Sequence, residues 1–218
     1  MSRTAREDLT TIAAEEQDRN FLPYDLLLGR VTPEHPLFSW LVRSGAAPDE
    51  LAEIAASAAP MDVMGLNFYP QWSTTQLYID RRGRLAYRPV DEEGGGFATL
   101  IESYFRRYQL PIIVTETSAR GTEDVRARWL EASVTAIRDL RARGVPVMGY
   151  TWFPLFTMLD WRYRFGRGPA EEYRLELGLY TLDSAERRWR PTPLVEQFRS
   201  YVADAESSVG GLMTGSAL

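Results

Sequence analysis

The 218-residue chain contains no cysteine, no lysine and one histidine. Without cysteine there is no disulfide, no thiolate nucleophile and no cysteine–zinc site. All 25 basic residues are arginine, which excludes both a P-loop lysine and a Schiff-base amine. The single histidine, His35, sits in Pro33-Glu34-His35-Pro36, a proline-bracketed loop where a structural role is the simpler reading. Ser-His-Asp chemistry and multi-histidine metal sites are thereby disfavoured. No apolar run reaches the roughly 18–20 residues that cross a bilayer, and the polar start does not read as a secretory signal. A cytoplasmic location without membrane contact is expected. The net charge of −5, with acids and arginines interspersed, argues against a nucleic-acid partner. Chemistry is left to carboxylates, aromatics and amides, and no cofactor or metal is implied.

What is present suits one domain with a sizeable core, since 44% of residues are hydrophobic and 25% charged. Positions 1–205 are assigned to that domain, and the small, Gly-rich positions 206–218 to a disordered tail. Helical patterns cover Asp8 to Asn20, Ala47 to Ala59, Phe97 to Tyr108, Glu123 to Arg143 and Thr192 to Ala203, and Thr122 is a candidate cap. Pro23 suits the first turn of a separate short helix ending at Gly29, and Pro33 to Trp40 reads as a loop that packs aromatics. Trp129 falls on the apolar stripe of its helix and is read as core. A hairpin is expected with Leu77-Tyr78-Ile79 and Leu85-Ala86-Tyr87 as its arms, and Gly94-Gly95-Gly96 as a hinge after it.

Three short apolar stretches alternate with these helices. They are Asp62 to Pro70, Pro111 to Thr117 and Val145 to Trp152. Strands separated by helices are βαβ units and imply a parallel sheet. Each carries polar or aromatic residues at its carboxyl end: Asn67 and Tyr69, then Glu116, then Trp152, with Asp160 and Trp161 beyond. A charge inside a core strand is costly, so Glu116 belongs where its strand leaves the core. That end of a parallel α/β sheet is where sites are built.

These stretches resemble glycoside hydrolase family 1, within the clan of retaining β-glycosidases on (β/α)8 barrels. Val114-Thr115-Glu116-Thr117-Ser118 is similar to the family's I/V-T-E-N-G segment, whose Glu is the nucleophile. Asp62-Val63-Met64-Gly65-Leu66-Asn67-Phe68-Tyr69 is similar to its D-F-L-G-(L/I)-N-Y-Y strand, whose last Tyr hydrogen-bonds that nucleophile. Gly149 to Trp161 aligns without gaps on G-Y-F-A-W-S-L-L-D-N-F-E-W. The resemblance covers roughly residues 15 to 202. It implies a TIM-type (β/α)8 fold represented by strands six to eight, and a retaining β-glycosidase acting on a small glycoside or oligosaccharide. Glu116 and Tyr69 are the implied catalytic residues, and Asn67, Trp152, Phe153, Asp160 and Trp161 the implied substrate contacts. Phe153-Pro154 falls where clan members carry a cis peptide.

The pattern departs from the family in defined places. Thr117, Phe153 and Asp160 stand where it has Asn, Trp and Glu, and no Asn-Glu-Pro acid/base segment occurs anywhere in the chain. A whole (β/α)8 barrel needs about 250 residues. Three readings follow: a portion of an ordinary glycosidase, a short homologue completed by a second chain or by self-association, or a module that binds carbohydrate or serves small-metabolite biosynthesis. Glu171, Glu172 and Glu176 are the nearby candidates for a replacement acid, and no spacing favours one of them.

Overall fold

The computed structural model describes residues 1–91, 94–183 and 185–213, with side chains of the last helix described through 205. In chain order the elements are β1 (Ser2–Arg3), α1 (Thr10–Leu27), α2 (Phe38–Arg43), α3 (Pro48–Ala56), β2 (Met64–Phe68), β3 (Thr75–Ile79), β4 (Leu85–Pro89) and α4 (Gly95–Tyr108). Then come β5 (Ile112–Thr117), α5 (Glu123–Ala142), β6 (Val147–Trp152), β7 (Met158–Leu159), β8 (Arg174–Leu175), β9 (Tyr180–Asp183), β10 (Arg188–Pro191) and α6 (Leu194–Met213).

The centre is a parallel sheet in the order β2-β5-β6, the three strands expected from the apolar stretches. Both of its outer strands are edges, so no closed barrel forms among the described residues. One face is covered by helices. Phe68 stacks on Trp129 of α5 with ring centres 5.6 Å apart, and Phe97 of α4 packs edge-on against both. Met64, Leu66, Ile112, Val114 and Val147 bury their side chains in this layer. Thr122 caps α5 by accepting from the Val125 amide at 3.4 Å, as its place before two acids suggests. The other face is open: Asn67 and Thr115 are exposed there, and Met148 is 62% exposed.

Several elements differ from the sequence expectations. A single helix, α1, runs through Pro23 instead of restarting there. Proline deprives the preceding turn of a donor. The hydroxyls of Tyr104 and Tyr108 donate to the neighbouring Asn20 and Phe21 carbonyls, at 2.8 and 3.0 Å, and so hold the helix across that point. The loop around Phe38 includes the short α2, and Gly95 and Gly96 open α4 rather than forming a hinge. α6 continues through positions 206–213, which were assigned to the tail, while 214–218 lie outside the described residues. The β3–β4 hairpin forms as expected, with β1 pairing parallel to β3. The β9–β10 hairpin was not foreseen. Among the described residues no helix is long and apolar enough to cross a membrane.

α1 is held to α4 by a buried polar knot. Asp25 is fully buried and accepts from Arg107 Nε and Nη2 at 3.1 and 2.6 Å, Tyr108 Oη at 3.0 Å and His35 Nε2 at 3.1 Å. The His35 Nδ1 accepts from the Leu37 amide, which leaves Nε2 to donate to Asp25. His35 is therefore structural. Burial pushes the Asp25 carboxyl up, but the hydrogen bonds from Arg107, His35 and Tyr108 outweigh it and hold the group below its ordinary value of 3.8. Its contribution to stability is thus present above pH 3.8 and is lost as pH falls through the depressed value. Removing one partner of a buried pair strands the others, so Asp25→Ala is expected to cost about 3 kcal/mol in urea unfolding at neutral pH. A loss below about 0.5 kcal/mol would show that the knot is dispensable.

Candidate active site at the strand ends

The position of Glu116 depends on one irregularity in β5. Between Val114 and Thr117 the strand advances three residues while β6 advances two, from Tyr150 to Trp152. The pairing with β2 shifts at the same place, with Leu66 opposite Val114 and Asn67 opposite Glu116. Strict alternation would put Glu116 on the face of Ile112 and Val114, among the helices. The extra residue instead puts Thr117 there, fully buried, where it accepts from the Trp129 indole N–H at 3.0 Å. Thr115 and Glu116 are left for the open side, and both are accessible. Bulges re-aim side chains in this way. The neighbouring strands leave room for it: a Cβ on Gly65 would lie 3.0 Å from Thr115 Cγ2.

Around the bulge the expected residues assemble. Tyr69 Oη donates to Glu116 Oε2 at 2.8 Å. The Tyr69 backbone is fixed by a tight turn, its amide donating to Ser73 Oγ and its carbonyl accepting from the Trp72 and Ser73 amides. Burial first, then the Glu116 hydrogen bond and charge, raise the Tyr69 phenol well above its ordinary 10.0, so it stays a donor across the physiological range. Asn67 accepts from Thr115 Oγ1 at 2.6 Å, which orients the amide beside the carboxylate. The Phe153 amide donates to the Thr117 carbonyl at 3.1 Å, and Ser118 Oγ donates back to the Phe153 carbonyl at 2.7 Å. That clamp holds the half-exposed Phe153 ring next to the end of β5, and the Phe153–Pro154 peptide is cis.

The remaining expected contacts are placed differently. Trp152 is 6% exposed and its indole N–H donates to the Leu177 carbonyl at 2.9 Å, so it supports the site from the core and does not line it. This corrects the expectation of a ligand contact: the bulge puts Trp152 opposite Thr117 in the buried layer. Asp160 caps a 3-10 turn and accepts from the Arg162 amide, Nε and Nη2 at 2.8, 3.0 and 2.8 Å. Those contacts, with Arg162 first, lower its carboxyl below 3.8. Trp161 is exposed, with the Arg164 guanidinium 4.3 Å above its ring. Among the described residues no hydrogen bond joins Asp160 or Trp161 to the Glu116 cluster.

Sequence reasoning missed Thr115, Ser118 and Gln71. Gln71 exchanges two hydrogen bonds with the Arg120 backbone, at 3.2 and 3.4 Å, and so ties the loop after β2 to the loop after β5. Its place two residues beyond Tyr69 was the only signal. Of the acid candidates, Glu176 is committed to Thr157, Thr181 and Arg174 at 2.8, 3.2 and 3.0 Å.

No family model matches the chain, and a search of curated proteins finds no match. Solved structures do match. One is a family 1 β-glucosidase from Thermotoga maritima in complex with isofagomine lactam, with a TM-score of 0.71 at 17% identity. The match covers 93% of this chain and 48% of that one. A β-glucosidase from Exiguobacterium marinum gives 0.66 at 18%, covering 94% and 49%. A GH1 β-glucosidase from Exiguobacterium antarcticum B7 gives 0.60 at 18%, covering 84% and 44%. At these identities the likeness establishes a glycosidase-like fold, and the chain spans about half the length of the structures it matches.

The Tyr69–Glu116 pair carries a direct consequence. Glu116→Gln removes a negative charge beside the phenol while leaving its burial intact, so the Tyr69 pKa falls towards 10.0 without reaching it. Alkaline titration of the Tyr69 ring by NMR reads this shift. An unchanged midpoint would mean that the two groups do not interact in solution.

Proposed function

We propose that the chain carries the nucleophile half of a retaining β-glycosidase site, with Glu116 as the attacking carboxylate and Tyr69 as the donor that steadies it. The observation that carries this reading is the 2.8 Å Tyr69–Glu116 hydrogen bond at the ends of adjacent parallel strands. A carboxylate oxygen attacks the anomeric carbon, the glycosidic C–O bond breaks, and the departing oxygen takes a proton or leaves as an anion. Tyr69 lowers the energy of the carboxylate and fixes which oxygen is free to attack. The Phe153 face suits the apolar face of a pyranose, and the Asn67 amide suits a ring hydroxyl. A second carboxyl about 5–5.5 Å from the first completes such sites. With no Asn-Glu-Pro segment in the chain, substrates whose leaving group needs no proton are the ones expected to react.

A second reading is favoured by the open face of the sheet. Met148, Thr115, Thr151 and Asn67 are exposed where a complete barrel would bury a lumen, and among the described residues neither sheet edge pairs with a further strand. On this reading the chain binds carbohydrate, or has its sheet completed by further βα units that bring the acid/base.

Intact-mass spectrometry after incubation with a 2-deoxy-2-fluoro β-glycoside bearing a dinitrophenyl leaving group separates the two. One stoichiometric adduct mapping to Glu116, absent in Glu116→Gln, is expected for the first reading. Saturable glycan binding without an adduct across several sugars would select the second.

A further inference from the structure

We propose that the cleft along the free edge of β2 is a second ligand site, built for a neutral polyhydroxylated ring such as a pyranose. It borders the strand-end site through Asn67 and Thr115 but lies beside the sheet, and it does not depend on Glu116 being a nucleophile.

The cleft has a volume of about 630 Å³, within the range of small-molecule sites. β2 lines it with Gly65 and Asn67, α1 with Asn20 and Tyr24, and the turn after β2 with Trp72 and Ser73. A bare strand edge invites a further strand. This edge is covered where the cleft lies. The Met64 amide donates towards β5, to the Pro111 carbonyl at 2.8 Å, so the backbone groups of Gly65 point outward. The Tyr24 hydroxyl donates to that outward Gly65 carbonyl, an acceptor that an added parallel strand would need. Tyr24 is braced by Tyr104 and Tyr108, with ring centres 5.8 Å away in each case, and Tyr108 belongs to the Asp25 knot. A compact ligand can therefore enter this cleft without displacing anything, whereas a strand would have to expel Tyr24.

The walls supply one aromatic face and polar groups of both kinds. Trp72 is 43% exposed and is held by Tyr69, with ring centres 5.5 Å apart and its amide donating to the Tyr69 carbonyl at 3.0 Å. Asn67 Oδ1 is taken by Thr115, which leaves the Asn67 Nδ2 group to donate. Ser73 Oγ accepts from the Tyr69 amide and keeps its own hydrogen for a ligand, as does the outward Gly65 amide. Asn20 spends its Nδ2 group on Glu16 and Gln17, so its Oδ1 is left to accept. Among the described residues lining the cleft there is no Asp, Glu, Arg or His, and the Met1 amine there donates to the Ser73 carbonyl. A pyranose offers an apolar face to an aromatic ring and hydroxyls that both donate and accept, which complements these walls. A charged ligand would be desolvated there without a counter-ion. Tyr69 stands between the two sites, its hydroxyl on Glu116 and its ring against Trp72.

Amide and indole NMR titration of the labelled chain with methyl β-D-thioglucoside and methyl β-D-thiogalactoside, which resist hydrolysis, tests the proposal, with glycerol as a reference polyol. Saturable shifts are expected at the Gly65 and Ser73 amides and the Trp72 indole with at least one sugar. Trp72→Ala, at an exposed position, is expected to weaken binding about tenfold, and Asn20→Ala several-fold. Shifts confined to Glu116, Asn67 and Phe153, shifts no stronger than those from glycerol, no shifts, or an affinity untouched by Trp72→Ala would overturn it. So would a Gly65 response that follows protein concentration instead of sugar, which marks strand pairing between copies. A fluoroglycoside adduct on Glu116 without sugar-dependent shifts at Gly65 and Trp72 would sink this inference alone. Shifts there without an adduct would sink the nucleophile reading and leave this one standing.

Discussion

One extra residue in β5 decides on which side of the sheet the Glu116 carboxylate lies. A strand that alternates faithfully from Ile112 would bury Glu116 among the helices, where an unpaired carboxylate is untenable. The bulge spends two residues, Thr115 and Glu116, on the open side and returns Thr117 to the core. It is locked from both sides. The Trp129 indole holds Thr117 within the helix layer, and Asn67 of β2 and Tyr69 just past its end hold Thr115 and Glu116 outside it. Trp129 is in turn stacked on Phe68, so the aim of the carboxylate is tied to the aromatic cluster of the helix layer.

The loops follow from that arrangement. Each strand end is tied to the next by hydrogen bonds to backbone groups: between the Gln71 side chain and Arg120, from the Phe153 amide to Thr117 and the Ser118 hydroxyl to Phe153, and from the Gly121 amide to the Glu176 carbonyl. The strand ends are therefore linked in series, with Asn67 and Glu116 inside their strands and Tyr69 and Phe153 just beyond theirs. On the opposite flank the Asp25 knot serves a different end. It fixes α1, whose own polar and apolar residues give it little amphipathic preference, to α4 and thus to the sheet.

The readable part of the fold was the part encoded by local pattern. Three apolar runs, two strongly amphipathic helices and the hairpin turn at Asp80 to Arg84 each carry their own signal, and each forms. What was not readable depends on partners distant in sequence. Pro23 looked like a helix boundary because nothing nearby shows that Tyr104 and Tyr108 will supply hydroxyls to the broken turn. Glu116 and Tyr69 were legible from the resemblance of their segments to a known family. The bulge that unites them was not, because Ile-Ile-Val-Thr-Glu-Thr permits either register until Trp129 claims Thr117. Trp152 was misassigned for the same reason: its facing depends on the register of its neighbour and not on its own sequence.

The two faces of the central sheet carry separate burdens. Ile112, Val114, Val147 and the aromatic cluster on the helix side hold the fold together, whereas Ile113, Thr115, Met148 and Thr151 on the other side are accessible and bear little of that load. Substitutions at these open positions can alter the chemistry of the sheet face towards which Glu116 is turned, at little cost in packing. The open face can therefore be re-lined without disturbing the packing that the helical face supplies.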